Sequence, residues 1–132
     1  MTRTFPSRTL TIAIDRSPED VHAFVSSPEN LPRWSFVTSV RREGDAWVAS
    51  SADGSFALRF VPDNPFGVLD HYVTLSPGTE LHVPMRVIPN GHGSEVLFTL
   101  LQTGDTSDEA FERDTRTVRR DLEKLKQVLE QD

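Results

Sequence analysis

Residues Thr9 to Asp15 alternate, with Leu10, Ile12 and Ile14 on one side, which predicts a half-buried strand. Ser17-Pro18-Glu19-Asp20 then reads as a helix start. Ser17 can cap, Pro18 suits the first helical position, and Asp20 can close a capping box. Val21, Phe24 and Val25 form that helix's apolar side. Ser27-Pro28-Glu29-Asn30 repeats the signal, with Pro32 limiting the helix to about one turn anchored by Leu31 and Trp34. Six strands follow, roughly Phe36–Arg42, Ala46–Ser51, Ser55–Val61, Val68–Leu75, Glu80–Ile88 and Ser94–Gln102. Clear turn signals separate them, among them Asp53-Gly54, Pro77-Gly78 and Asn90-Gly91-His92-Gly93. Loops this short join antiparallel neighbours, so the strands should form a meander. Thr106 or Ser107 caps a last helix reaching Glu130, about 36 Å long at ~1.5 Å per residue. Its apolar stripe is Phe111, Thr115, Val118, Leu122, Leu125 and Leu129, and Thr115 is the one polar member.

The parity of each hairpin loop decides which residues share a face. The loop Asn90–Gly93 pairs Met85 with Phe98, Val87 with Val96 and Val83 with Leu100. An Asp53-Gly54 turn pairs Ala49 with Leu58 and Trp47 with Phe60, and an even loop at Glu43-Gly44 sets Val40 beside Trp47. The Pro77-Gly78 hairpin admits two registers. An odd loop puts Leu69, His71, Val73 and Leu75 on the face of Leu81, Val83 and Met85. An even loop puts Val68, Asp70, Tyr72 and Thr74 there. The odd loop buries one polar residue and the even loop three, and each unpaired polar group costs a few kcal/mol. The odd loop is therefore favoured, and His71 becomes the main ionisable group facing inward. Thr38, Ser51 and Thr115 are its candidate polar companions. Leu97 and Leu101 then face outward, where a homodimer contact is one reading and scattered surface leucines the other.

Composition narrows the class. With 132 residues, 36% hydrophobic and 26% charged, the chain suits one soluble globular domain spanning 1–132. No apolar run reaches the ~18 residues of a membrane span. Met1 to Arg8 lacks a signal peptide's apolar stretch, so a cytoplasmic location is expected. A net charge of −6 argues against nucleic acid. The cluster Arg113, Arg116, Arg119 and Arg120 alternates with acids and reads as a solvated helix face. The chain has no cysteine, which removes thiolate chemistry, and no histidine pair has metal-binding spacing. No metal or cofactor is expected. His22 and His92 read as solvated.

Several segments together carry a resemblance. They are Ser17-Pro18-Glu19-Asp20-Val21 with Phe24, Pro28-Glu29-Asn30-Leu31-Pro32-Arg33-Trp34, Gly67-Val68-Leu69-Asp70-His71, Val83-Pro84-Met85-Arg86-Val87, and Gly93-Ser94-Glu95-Val96 through Thr99. From about Arg8 to Glu130 the chain resembles the START-like (SRPBCC, helix-grip) superfamily, and within it small bacterial proteins grouped with polyketide cyclases and dehydrases. The resemblance implies an α+β helix-grip fold: a seven-stranded curved antiparallel sheet, ordered β-α-α-β6-α, around the C-terminal helix with an internal cavity. Members bind lipids, quinones, plant hormones or polyketide intermediates, and some act as co-chaperones, so fold alone does not assign function.

The expected lining is Trp47, Phe56, Leu58, Phe60, Val83, Met85 and Phe98, with Phe111, Thr115, Val118 and Leu122 above and Trp34 at one end. These same side chains could instead close the hollow. His71 is the candidate acid–base group, because burial lowers an imidazole pKa and keeps it neutral near pH 7. A bonded core histidine is the bland alternative. Three functions follow: a binder of a small hydrophobic molecule, which is favoured because one inward ionisable group is thin for catalysis; a cyclase or dehydratase using His71; and a ligand-free protein-interaction module.

Overall fold

The computed structural model describes residues 3–131. Met1, Thr2 and Asp132, the ends of the expected domain, lie outside the described residues. The elements run β1 (Ser7–Ile14), α1 (Pro18–Val25), a 3-10 turn (Pro28–Asn30), α2 (Leu31–Trp34), β2 (Ser39–Glu43), β3 (Ala46–Ser51), β4 (Gly54–Phe60), β5 (His71–Ser76), β6 (Thr79–Val83), β7 (Met85–Asn90), β8 (Gly93–Leu101) and α3 (Asp108–Glu130).

The helix starts follow local chemistry. Ser17 Oγ accepts the Asp20 amide at 3.1 Å, and Ser107 Oγ accepts the Ala110 amide at 3.1 Å, each satisfying one orphan donor of a first turn. The Asp20 carboxylate does not close the box; it pairs with Arg16 at 3.1 Å. Pro32 sits at the start of α2, where its missing N–H costs nothing, so it opens that short helix instead of ending one.

The antiparallel strands form two sheets, β1-β8-β7 and β2-β3-β4-β5-β6, which corrects the expected single seven-stranded sheet. The expected strand Glu80–Ile88 is cut in two at Pro84, which has no N–H to give to a ladder. The cut is local. His71 faces Val83 and Val68 faces Arg86 across it, so the register is unbroken and sets Asp70 opposite Pro84. Backbone bonds resume just beyond, with Leu69 N–H to Met85 O and Val87 N–H to Gly67 O, both 2.9 Å. The two sheets are thus joined along one long, interrupted strand pair.

The registers otherwise test the parity argument. Met85 faces Phe98 and Val87 faces Val96. The ladder ends at Met85, short of the expected Val83–Leu100 pair, although the Thr99 amide still donates to Pro84 O at 3.0 Å in the same register. Trp47 faces Leu58 and Ala49 faces Phe56, two residues from the expected pairing, because the turn is Ala52-Asp53 and Gly54 (φ +128°) already belongs to the next strand. Val40 likewise faces Ala49, not Trp47. A slip of two keeps every side chain on its face. At the Pro77-Gly78 hairpin the odd register holds for His71–Val83 and Val73–Leu81. A bulge between Thr74 and Ser76 then breaks it, and Leu75 lies exposed.

Helix α3 packs chiefly on β1 and α2. It buries Phe111, Thr115, Leu122, Leu125 and Leu129 and half-buries Val118, the stripe expected from its spacing. Among the described residues, no helix is long and apolar enough to cross a membrane.

Candidate functional site

The inward face of β1 carries Arg8, Leu10, Ile12 and Ile14. Their partners on β8 are Leu100, Phe98, Val96 and Ser94. The larger sheet adds Trp47, Phe56, Leu58, Phe60, His71 and Val83 to the same concave face. These candidate residues divide by burial. Leu58, Met85, Phe111, Thr115 and Leu122 are buried in the core. Trp47, Phe56, Phe60, Val73, Phe98 and Val118 are only partly buried, packed against that core. The division follows from the placement of α3, which lies on β1 at one side of the three-stranded sheet.

His71 sits where the two sheets meet. Its ring centroid lies 4.8 Å from that of Phe60 and 6.1 Å from that of Phe98. Burial among these rings pushes its pKa below the usual imidazole value, and a bond to Leu69 O opposes this only in part. Nδ1 lies 3.2 Å from that carbonyl, so Nδ1 carries the proton and Nε2 is the acceptor nitrogen. The expected polar companions are otherwise engaged: Thr38 donates to Ser50 O, Ser51 to Gly54 O and Thr115 to Phe111 O.

Asp70 points to the opposite face, as strand alternation requires. Only 7% exposed, it accepts the Met85 amide at 2.9 Å and contacts His82 Nε2 at 2.9 Å and Arg86 Nε at 3.4 Å. Burial would raise its pKa, but the Met85 amide, His82 and Arg86 outweigh that and hold it below the usual carboxylate value. This Asp70–His82 pair, outside the candidate site, was not legible without the register.

Arg8 is the other residue that the sequence reading missed. Its guanidinium reaches Thr115 Oγ1 at 3.3 Å and Glu112 at 2.6 Å, and stacks over Phe111 at 5.1 Å. Arg8 shares the parity of Leu10, Ile12 and Ile14, which is the signal that could have found it. It places a cation at the end of the concave face where α3 begins.

Open grooves flank α3. One, about 320 Å³, is lined by Trp34, Ser35, Phe36, Thr117, Arg120, Asp121 and Lys124. The other, also about 320 Å³, lies by Phe24, Arg33 and Leu129. Of the expected lining residues only Trp34 borders either groove; Trp47, Phe56, Phe60 and His71 border neither. His92 is exposed, but His22 is half-buried and its buried Nε2 has no partner among the described residues, which corrects its expected solvation. Among the described residues no three His, Cys, Asp or Glu side chains are grouped to hold a metal.

A sequence model described as polyketide cyclase/dehydrase and lipid transport matches residues 6–130. The chain belongs to this polyketide cyclase/dehydrase family. No curated protein matches it by sequence. Similar folds occur among solved structures. XoxI from Bacillus cereus is 20% identical with a TM-score of 0.76, covering 93% of this chain and 94% of its own. The Aha1 dimer from Colwellia psychrerythraea is 19% identical at 0.74, covering 96% and 97%. DynU16, described as a putative protein of the dynemicin biosynthetic locus, is 15% identical at 0.70, covering 95% of this chain and 47% of its own. At these identities the likeness shows the helix-grip fold of the polyketide cyclase/dehydrase family and no activity.

Proposed function

We propose that this single-domain, cytoplasmic chain binds a small hydrophobic molecule, a lipid, quinone or polyketide-like compound, on the concave face between the sheets and α3. The observation that carries this is the incomplete burial of Trp47, Phe56, Phe60 and Phe98 beside Val118. Rings of this size contribute most when fully buried, so a face that leaves four of them half-covered gains by taking an apolar guest. The family's lipid-transport description and the DynU16 likeness support the same class of ligand. Native mass spectrometry of the protein purified from cells tests it. A co-purified apolar mass, lost in Phe60→Ala, is expected; apoprotein alone, with no uptake of added octane or 2-decanone, refutes it.

A second reading rests on His71. A neutral imidazole between Phe60 and Phe98, with Nε2 free to accept a proton, suits removal of a proton beside a carbonyl, the step a cyclase or dehydratase needs. Turnover of a polyketide-type substrate abolished in His71→Ala with binding retained would select this reading. The outer sheet face at Leu97 and the exposed Leu101 is the place where a second copy would dock.

A further inference from the structure

We infer that the Arg8–Glu112 pair selects the polar end of the proposed ligand: Arg8 donates to a neutral carbonyl or hydroxyl oxygen, and Glu112 keeps out a carboxylate. The inference rests on the binding reading above and names the head group that this site takes. Its first support is the place of Arg8. Arg8 lies opposite Leu100 on the inward face of β1, and Leu10 lies opposite Phe98. Phe98 in turn meets His71, with ring centroids 6.1 Å apart. Leu100 is the next inward residue after Phe98 on β8, about 7 Å further along the strand. A molecule whose chain lies among Phe60, His71 and Phe98 and runs along β8 therefore ends at Arg8.

The second support is the setting of the guanidinium. It touches two members of the buried stripe of α3, Thr115 at 3.3 Å and the Phe111 ring at 5.1 Å, which puts it between helix and sheet. The side chain is nevertheless 39% exposed, so it stands at the mouth of the concave face and is open to a guest. Nη1 makes both polar contacts, to Thr115 and to Glu112. Nε and Nη2 have no acceptor among the described residues. Stacking on Phe111 orients these donors before any ligand arrives. A hydrocarbon leaves them to water, and an oxygen takes them.

The third support is charge. Glu112 Oε1 lies 2.6 Å from Arg8 Nη1, so the pair is neutral as a unit. A neutral oxygen accepts from the guanidinium without disturbing it. A carboxylate brings a second negative charge beside Glu112 and is repelled unless it displaces that side chain. An arginine without this partner would favour acids instead.

The Arg8 Nε–H gives a direct readout by two-dimensional NMR. Titration with 2-decanone should shift its resonance, and octane should bind without shifting it. Arg8→Met keeps a stem over Phe111 and should cut the preference for 2-decanone over octane about tenfold, the effect of one hydrogen bond to a charged group. Glu112→Gln removes the repulsion and should raise decanoate affinity relative to 2-decanone about tenfold. The Glu112 side chain is 52% exposed, so this second variant keeps the fold and reads the pair even where Arg8→Met does not fold. An equal Arg8 response to octane, or an unchanged preference in Arg8→Met, overturns the anchor and leaves the binding reading standing. Decanoate bound by the wild type as tightly as 2-decanone, or no gain in Glu112→Gln, overturns the exclusion of acids. Failure of every compound to bind the wild type overturns both the inference and the binding reading.

Discussion

Removal of the Asp70 carboxylate should weaken the seam between the two sheets by about 3 kcal/mol. Pro84 interrupts the β6–β7 strand opposite Asp70. Beyond the break the Met85 amide finds its acceptor in Asp70 Oδ1 at 2.9 Å, at a residue only 1% exposed. In Asp70→Ala that amide is left buried and unpaired, at about 1–3 kcal/mol. Loss of the charge-assisted bond itself brings the total to ~3 kcal/mol. The partners His82 and Arg86 add little, because their side chains are 45% and 51% exposed and water takes them back. For a chain of this size that corresponds to about 10 °C in melting temperature. Asp70→Asn keeps an acceptor for Met85 and should lose roughly half as much. The sign with pH follows from the lowered pKa: the contribution is present above the unfolded value of 3.8 and is lost as pH falls through the folded one. The gap between wild type and Asp70→Asn should therefore shrink at acid pH. Urea unfolding at pH 7 and pH 3 measures both quantities. An Asp70→Ala variant within ~0.5 kcal/mol of wild type at pH 7, the scatter of ordinary surface changes, would refute the reasoning.

Gly67 lies on the same seam with φ +75°, and a Cβ there would sit 2.0 Å from Val87 O. Gly67→Ala should cost more than ~2 kcal/mol in urea unfolding, since left-handed strain and backbone overlap act together; an unchanged midpoint would show that the seam yields. At Asp121 the carboxyl is raised from 3.8 to about 7, so the folded state holds an extra proton between those values and stability falls as pH rises across them. The full gap of about 3 pH units corresponds to ~4 kcal/mol, reduced to ~1–2 by water in the open groove. Asp121→Asn should accordingly gain on wild type at pH 8 and not at pH 4, and equal gains at both would disprove the linkage.

Much of this architecture is legible in sequence because alternation has a period of two. The Trp47 and Ala49 pairings differ from expectation by two residues, yet both side chains stay on the concave face. Exact pairing depends on which residues form the turn, and composition alone does not distinguish Ala52-Asp53 from Asp53-Gly54. Pro84 was visible, but a proline within an apolar run says only that the ladder is interrupted. What replaces it, the Asp70 carboxylate, depends on a register between distant segments. Arg8 was hidden for another reason: an inward arginine at a strand's first turn looks like an exposed end until α3 brings Glu112, Thr115 and Phe111 over it. The burial of Asp121 was hidden because a carboxylate beside Arg120 on a charged helix face looks solvated.

Whether an apolar guest settles on the concave face is answered most directly by mapping amide and aromatic NMR shifts across the whole chain during addition of 2-decanone. The account predicts changes centred on Phe60, His71, Phe98 and Val118, with Thr11 and Leu97 on the outer face unmoved. A saturating response confined to the outer face, or none at all, would contradict it.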